Sequence, residues 1–207
     1  MAPKTQAAGS HGVDALGYEV RTDTKPIPKV NVPYVKSINL NTVLEDVTQY
    51  ANNVRILLLP SDQGFNGSIG VTDADPVLDE AQGYSVTTDD GNILALDAST
   101  YKANNIYYEF KRVFAGGISK TVKAWLYNVK IGKSNKTHNT DTNTITFTDY
   151  EYPIDVLGDP ALNADGSEYR DENGNKRKAF MILAYPDDAN YEGFEDACPD
   201  PIMPAIG

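Results

Sequence analysis

Residues 106–131, IYYEFKRVFAGGISKTVKAWLYNVKI, decide the fold class of this 207-residue chain. Apolar and polar residues alternate over Ile106–Phe114, glycines follow at 116 and 117, and Ile118–Ile131 runs back with a similar composition. A period of two is typical of β-strands, and two such runs joined by a glycine-rich turn predict an antiparallel hairpin. The chain is therefore expected to be mainly β.

The return strand of this hairpin is apolar on both faces. Ala124 and Leu126 fall on one face, and Trp125 and Tyr127 fall on the other. A strand with two apolar faces is covered by protein on both sides. Trp125 and Tyr127 are therefore candidates for a contact between subunits.

Further alternating runs flank the hairpin and extend the β prediction. They cover residues 13–21, 35–44, 54–59, 65–71, 142–148 and 179–185. The run at 54–59 is almost entirely apolar, which indicates a strand that is covered on both faces or pressed against another subunit. Val54, Ile56 and Leu58 are its interface candidates. Residues 45–53, just before it, are polar and are predicted to form an irregular loop.

One helix is predicted near residues 76–83. Asp75 is a good N-cap, Pro76 suits the first helical position, and Gly83 is a natural C-terminal stop. Nearby acidic residues are accounted for by capping and by the helix dipole. No second segment of the chain carries as complete a set of helix signals.

The overall charge is strongly acidic, at −11. A groove that holds nucleic acid needs clustered Lys and Arg, so tight DNA binding is not expected, whereas an acidic wall would let DNA pass without adhering. Cys198 is the only cysteine, which excludes an intrachain disulfide and a cysteine-rich zinc site. The sequence shows neither a signal-peptide pattern nor a run long enough to span a bilayer, so assembly in a cytoplasm is expected.

Common catalytic motifs are absent from the sequence. The histidines are His11 and His138, both in predicted solvated segments, and there is no G-x-S-x-G, phosphate-binding loop or H-E-x-x-H motif. The sequence predicts neither an enzyme nor a cofactor. An acid–base hydrolase remains an alternative because carboxylates are abundant, although no pair is singled out.

A polar segment at residues 163–176 contains two strong turn dipeptides, at 165–166 and 173–174. Its oxygen-bearing side chains faintly resemble a calcium loop, with Asp165, Ser167, Asp171 and Asn173 as weak ligand candidates. Flanking helices are not predicted there, so ordinary hairpin turns are the simpler interpretation.

Several strings, taken in order, resemble the major tail proteins of long non-contractile-tailed bacteriophages (siphophages). They are FNGSIGV at 65–71, the helix at 76–83 with Tyr84, TDDGNILA at 88–95, the strand at 106–114, AWLYNV at 124–129 and the threonine-rich strand at 142–148. The likeness spans about residues 13–154. It implies a two-sheet β-sandwich or barrel of the tail tube type, with one short flanking helix and extended loops or arms.

Composition and the resemblance together predict a domain plan, in which the segment at 163–176 and the acidic tail depart from the pattern of the family. It gives a flexible N-terminal arm at 1–12, a tail tube β-domain at 13–157, a hairpin elaboration and final strand at 158–185, and an acidic C-terminal arm at 186–207. The predicted loop then becomes a candidate for ring stacking. Its candidate residues are Glu45, Asp46, Tyr50, Asn52 and Asn53.

The resemblance also implies a function and partners. Copies of the chain would form hexameric rings stacked into the tail tube of the virion, through which DNA passes without specific binding. The tape measure protein, the tail terminator and the distal tail protein would be its other partners, and no membrane is involved. A monomeric β-sandwich that mediates adhesion or binds carbohydrate is the alternative that the many tyrosines and the Asp165 segment leave open.

Overall fold

The structure is a computed structural model that describes residues 7–22, 28–51, 54–97, 99–114, 116–135 and 149–204. Its elements are β1 (Ala7–Val20), β2 (Val30–Asn31), β3 (Val35–Ala51), β4 (Val54–Val71), α1 (Pro76–Gln82), β5 (Ser85–Thr87), β6 (Ile93–Ala95), β7 (Ala103–Phe114), β8 (Ser119–Ile131), β9 (Tyr150–Val156), β10 (Asp159–Pro160), β11 (Lys178–Ala179) and β12 (Met181–Ala184). The mainly β prediction is confirmed, and so is the central hairpin, which forms β7 and β8. The strand predicted at 142–148 lies outside the described residues.

Most strands belong to one antiparallel sheet. Its order is β2-β1-β7-β8-β9-β4-β3, and β12 pairs with β8. The sheet curls on itself, so that Leu16 of β1 and Ile106 of β7 share one buried cluster with Ile69 of β4 and Ile154 of β9. The two expected layers are thus two halves of one continuous sheet, which does not close into a barrel within the described residues.

The sheet turns its corner at β8. The edge of β8 opposite β7 pairs with β12 over Lys123–Leu126 and with β9 over Val129–Ile131. Between these two partners lies Asn128, whose φ of +51° is left-handed. Asparagine adopts this conformation more readily than most residues. Its amide Nδ2 also donates a hydrogen bond to the Gly158 carbonyl at 3.2 Å, which ties the corner to the following loop.

Helix α1 forms where the sequence predicts a helix. It covers one end of the curled sheet. The Asp75 side chain accepts a hydrogen bond from the Val77 N–H at 3.0 Å, and Gly83, with a φ of 82°, closes the C-terminus. Leu78 is fully buried against the main core. In the described part of the chain, no helix has the length and apolar character needed to cross a membrane.

The chain termini depart from the predicted free arms. Strand β1 begins at Ala7 and pairs with β7, so the second half of the predicted N-terminal arm is in the sheet. Residues 186–204 pack against the outer face of β8, because apolar side chains on that face need cover. Residues 1–6 and 205–207 lie outside the described residues.

Replacing Asn128 with valine should lower the free energy of unfolding by about 1–3 kcal/mol, because a β-branched residue is strained at positive φ. Urea denaturation of the purified protein measures this. Asn128→Gly is the matched control, since glycine tolerates the angle and loses only the amide hydrogen bonds. Equal stability of the valine variant and the parent would contradict the corner assignment.

Candidate assembly surfaces

The outward side of β3, β4 and β9 forms a continuous polar surface, here called the polar face. Its residues are Ser37, Asn39 and Asn41 of β3, Asn66, Ser68 and Gly70 of β4, and Glu151, Pro153 and Asp155 of β9. Apart from Pro153, no aliphatic or aromatic side chain is among them. Strand periodicity sends the apolar residues of the same strands to the opposite side, into the core.

The strand register shows how completely the two sides differ. One row of the polar face reads Asn39, Ser68 and Pro153, with the Asn39 Nδ2 donating to the Ser68 Oγ at 3.4 Å. The adjacent row, Ile38, Ile69 and Tyr152, points inward, and its last two members are almost completely buried. The polar face is therefore a surface of mostly small, polar side chains, with two carboxylates, on a closely packed support.

The charge on the polar face is slightly acidic. Glu151 and Asp155 are both exposed. Lys130 of β8 is directly opposite Asp155 in the register. It is half-buried, and its Nζ lies 5.9 Å from the centre of the Tyr101 ring. Lys36, at the margin, is paired with Asp149. The polar face lacks the clustered cations that tight phosphate binding requires.

A long two-stranded arm projects from the end of the sheet that carries Val156. Strand β9 pairs with β4 only over Phe65–Val71, whereas β3 and β4 continue to pair with each other as far as Ala51 and Val54. Residues 44–51 and 54–62 are here called the arm. In the described part of the chain no third strand pairs with the arm, which extends about 25 Å at 3.3 Å per residue.

The arm corrects the prediction of an irregular loop. Glu45, Asp46 and Tyr50 lie in β3 and pair with β4, because backbone hydrogen bonds to the apolar run at 54–59 form whatever the polarity of the β3 side chains. The sequence pattern failed here because the polarity of side chains does not decide whether backbone groups pair. Asn52 and Asn53 lie outside the described residues.

The two strands of the arm stay paired as far as its tip, where Ala51 is opposite Val54.

The register also places the three interface candidates of the apolar run. A register shift between Gln49 and Tyr50 leaves Ile56 without a direct partner. The three candidates thus belong to the arm.

Trp125 and Tyr127 are not open to a partner subunit, which corrects their assignment as interface residues. Residues 185–204, here called the strap, lie over them. The Trp125 Nε1 donates to the Phe194 carbonyl at 2.7 Å, and the Tyr127 hydroxyl donates to the Pro199 carbonyl at 3.0 Å. Both side chains are at most 2% exposed. The second apolar face of β8 is thus covered by the same chain.

A buried cation anchors the strap. The Lys123 Nζ donates to the Tyr191 carbonyl at 3.1 Å, lies 4.3 Å from the centre of the Tyr191 ring, and is paired with Glu195. The hydrogen bond from Lys123 holds the pKa of Glu195 below its usual value. Lys123 is the charged residue in the otherwise apolar stretch 122–127. In the sequence, this isolated cation is the feature that indicates a docked acidic segment.

A buried carboxylate lies beneath the strap. Glu19 is 2% exposed, and its Oε1 accepts a hydrogen bond from the Cys198 N–H at 3.1 Å. Burial raises the pKa of Glu19 above its ordinary 4.5, partly offset by that N–H, by Asn105 and by Lys29. Burial also raises the pKa of the Cys198 thiol, so this sole cysteine is protected while the strap is docked.

The weak calcium candidates cap two separate turns. The Asp165 Oδ1 accepts from the N–H and hydroxyl of Ser167, at 3.0 and 2.6 Å. The Asp171 Oδ1 accepts from the N–H groups of Asn173 and Asn175, at 3.0 and 2.9 Å. Within the described ranges, no three His, Cys, Asp or Glu side chains are grouped so as to hold a metal ion.

Of the two histidines, only His11 lies within the described residues. His11 is an exposed residue of β1, opposite Lys111 in the register. His138 lies outside the described residues.

Weakening the strap should expose Cys198. Phe194→Ala removes a ring that is 5% exposed and packed with Trp125, so local opening should become more frequent and maleimide labelling of Cys198 should accelerate about tenfold or more. Mass spectrometry follows the labelling rate. Ile202→Ala, on the same strap but 55% exposed, is the matched control and should label like the parent. Unchanged labelling of Phe194→Ala would contradict a strap held by this contact.

The stability of the protein should depend on the ionisation of Glu19. Because the folded-state pKa is raised, the carboxyl stabilises the fold below pH 4.5, and this contribution is lost as the pH rises through the folded-state pKa. Glu19→Gln keeps an acceptor for the Cys198 N–H but never ionises. The free energy of unfolding of the variant minus that of the parent should therefore be larger at pH 7 than at pH 4.5. Urea denaturation at the two pH values measures this difference. A pH-independent difference would rule out ionisation at Glu19 as the cause.

The chain matches no protein-family model and no curated protein sequence. Among solved structures, it can be superposed on a chain in the cryo-EM structure of the anti-feeding prophage baseplate, six-fold symmetrised. The superposition covers 86% of this chain and 95% of that chain, at 9% sequence identity and a TM-score of 0.40. Similarity at this level carries no conclusion about function.

Proposed function

We propose that this chain is a non-enzymatic structural subunit that assembles with copies of itself into stacked rings, forming the tail tube of a siphophage virion. The observation that carries the proposal is the polar face. It is a broad, three-stranded surface of amides, hydroxyls and two carboxylates, supported from behind by the main core. Such a surface suits the wall of a channel through which DNA slides.

The chemistry of the polar face favours passage of DNA over binding. Phosphate groups are held by Lys and Arg, which displace counterions, and the polar face instead presents exposed carboxylates at Glu151 and Asp155. Like charge keeps the DNA backbone away from the wall. The small side chains of Asn39 and Ser68 offer neutral hydrogen-bonding groups that water also satisfies.

The arm supports assembly with other copies. A two-stranded ribbon is only marginally stable alone. A partner that pairs with or covers the arm would stabilise it. Closed rings of identical subunits, six per ring in the family that the sequence resembles, would provide such partners.

Other partners and the location follow from the resemblance and belong to the proposal. A tube of this kind ends on a tail terminator and on a distal tail protein, encloses a tape measure protein, and is assembled in the host cytoplasm before it becomes part of the virion. The absence of catalytic motifs in the sequence agrees with a structural role.

Electron microscopy of the purified protein over a range of concentrations and salts tests the proposal. Rings or hollow tubes, together with a mass well above 22.6 kDa by light scattering, are expected. Monomers at every concentration and salt would overturn the proposal, and glycan binding by that monomer would instead favour the adhesion alternative.

Reversing the charge of the polar face should make assembled tubes retain DNA. The double variant Glu151→Lys and Asp155→Lys replaces two exposed carboxylates with cations on each subunit, so labelled double-stranded DNA should co-sediment with the tubes at low salt and dissociate at high salt.

The matched control for charge is Glu172→Lys with Glu192→Lys, which changes two exposed carboxylates away from the polar face. DNA retention should be clearly weaker in this control. Equal retention by both double variants would show that the polar face does not line the channel.

A further inference from the structure

Residues 197–200 of the strap lie over a pocket of about 190 Å³. They are here called the flap. The opposite side of the pocket is formed by Asn105 of β7, by Tyr127 of β8 and by Arg21, which follows β1. The flap therefore separates this pocket from solvent on one side.

The flap is held by an anchor on each side of it. On the first side, Glu195 is paired with Lys123. On the second side, the Leu162 N–H donates to the Pro201 carbonyl at 3.0 Å, and the Met203 N–H donates to the Leu162 carbonyl at 2.8 Å. A short segment between two fixed points can move away from the sheet by a local change of its backbone while both anchors stay in place.

Two hydrogen bonds join the flap to the sheet. The Cys198 N–H donates to the Glu19 Oε1 at 3.1 Å, and the Tyr127 hydroxyl donates to the Pro199 carbonyl at 3.0 Å. Glu19 is 2% exposed, so a closed flap keeps its carboxyl away from water. A carboxyl in such a place is costly to ionise.

The charges near Glu19 offset this cost only in part. Lys29 and the Asn105 side chain favour the ionised carboxyl, but burial is the larger effect and the pKa of Glu19 stays above its ordinary 4.5. Arg21 is paired with Asp159 at 2.6 Å. The titratable and charged groups around Glu19 and the pocket are Arg21, Lys29, Asp159, Cys198 and Asp200.

The two ends of the strap should therefore respond differently to pH. An open flap returns water to Glu19, so the advantage of the closed form is complete below pH 4.5 and is lost as the pH rises through the raised pKa. In the first anchor, the hydrogen bond from Lys123 lowers the pKa of Glu195, so this pair stays charged over the same range.

We propose that the flap opens from the sheet as the pH rises while the rest of the strap stays docked, with Glu19 as the group that senses pH. The open form admits solvent to the pocket and uncovers the Cys198 thiol. This device belongs to the single subunit and does not depend on tube assembly.

Hydrogen exchange between pH 5 and pH 8, measured by mass spectrometry, tests the proposal. Dividing each rate by that of the unfolded chain at the same pH removes the intrinsic pH dependence of exchange. Protection of a peptide that spans 197–203 should fall several-fold between pH 5 and pH 8, because the Cys198 N–H loses its acceptor. A peptide that spans 187–196 should keep its protection. Equal loss in both peptides, or no loss in the first, would overturn the proposal.

Two variants identify the group that responds to pH. Glu19→Gln keeps an acceptor for the Cys198 N–H but cannot ionise, so the protection of its flap should not change with pH. Glu192→Gln removes an exposed carboxylate from the same strap and is the matched control, which should behave like the parent. A loss of flap protection in Glu19→Gln as large as in the parent would rule out Glu19 as the sensor.

The thiol of Cys198 supplies a second measurement that needs no variant. Its rate of reaction with 4,4′-dithiodipyridine, divided by the rate in the urea-unfolded protein at the same pH, should rise several-fold from pH 5 to pH 8. Low concentrations of urea should leave this ratio unchanged, because a local opening exposes little surface. A ratio that is constant with pH, or that rises steeply with urea as global unfolding does, would contradict a local flap.

Discussion

The structure depends on the burial of strand β8 on both of its faces. Ala124 and Leu126 face the main core, while Trp125 and Tyr127 lie under the strap. Because the chain supplies both covers itself, the apolar residues on the two faces of β8 are removed from the surface. The Asn128 corner then lets the same strand join the two halves of the curled sheet.

With β8 covered, the surfaces left for assembly differ sharply in character. The polar face contains small neutral groups and carboxylates, whereas the β5–β6 hairpin exposes Val86, Leu94 and Leu96. In the proposed tube, the polar face would stay in water as the wall of the channel.

The carboxylates of the chain have different effects, which depend on where each one lies. On the strap, Glu195 pairs with Lys123 and helps to hold the C-terminal segment on the subunit. Beneath the strap, the buried Glu19 opposes docking when it is ionised. On the polar face, Glu151 and Asp155 remain exposed. In the proposed tube, these two carboxylates would repel the phosphates of DNA.

The sequence by itself determined the central hairpin, the capped helix and strand segments such as 35–44 and 65–71, because alternation, turn glycines and the Asp75 cap act over a few neighbouring residues. It also indicated that Trp125 and Tyr127 are covered, but not by what. Only the tertiary structure decided that the strap covers them, that residues 45–51 extend the arm, and that Asn39, Ser68 and Asp155 share one face. These features depend on register and on contacts between distant segments, which no local pattern encodes.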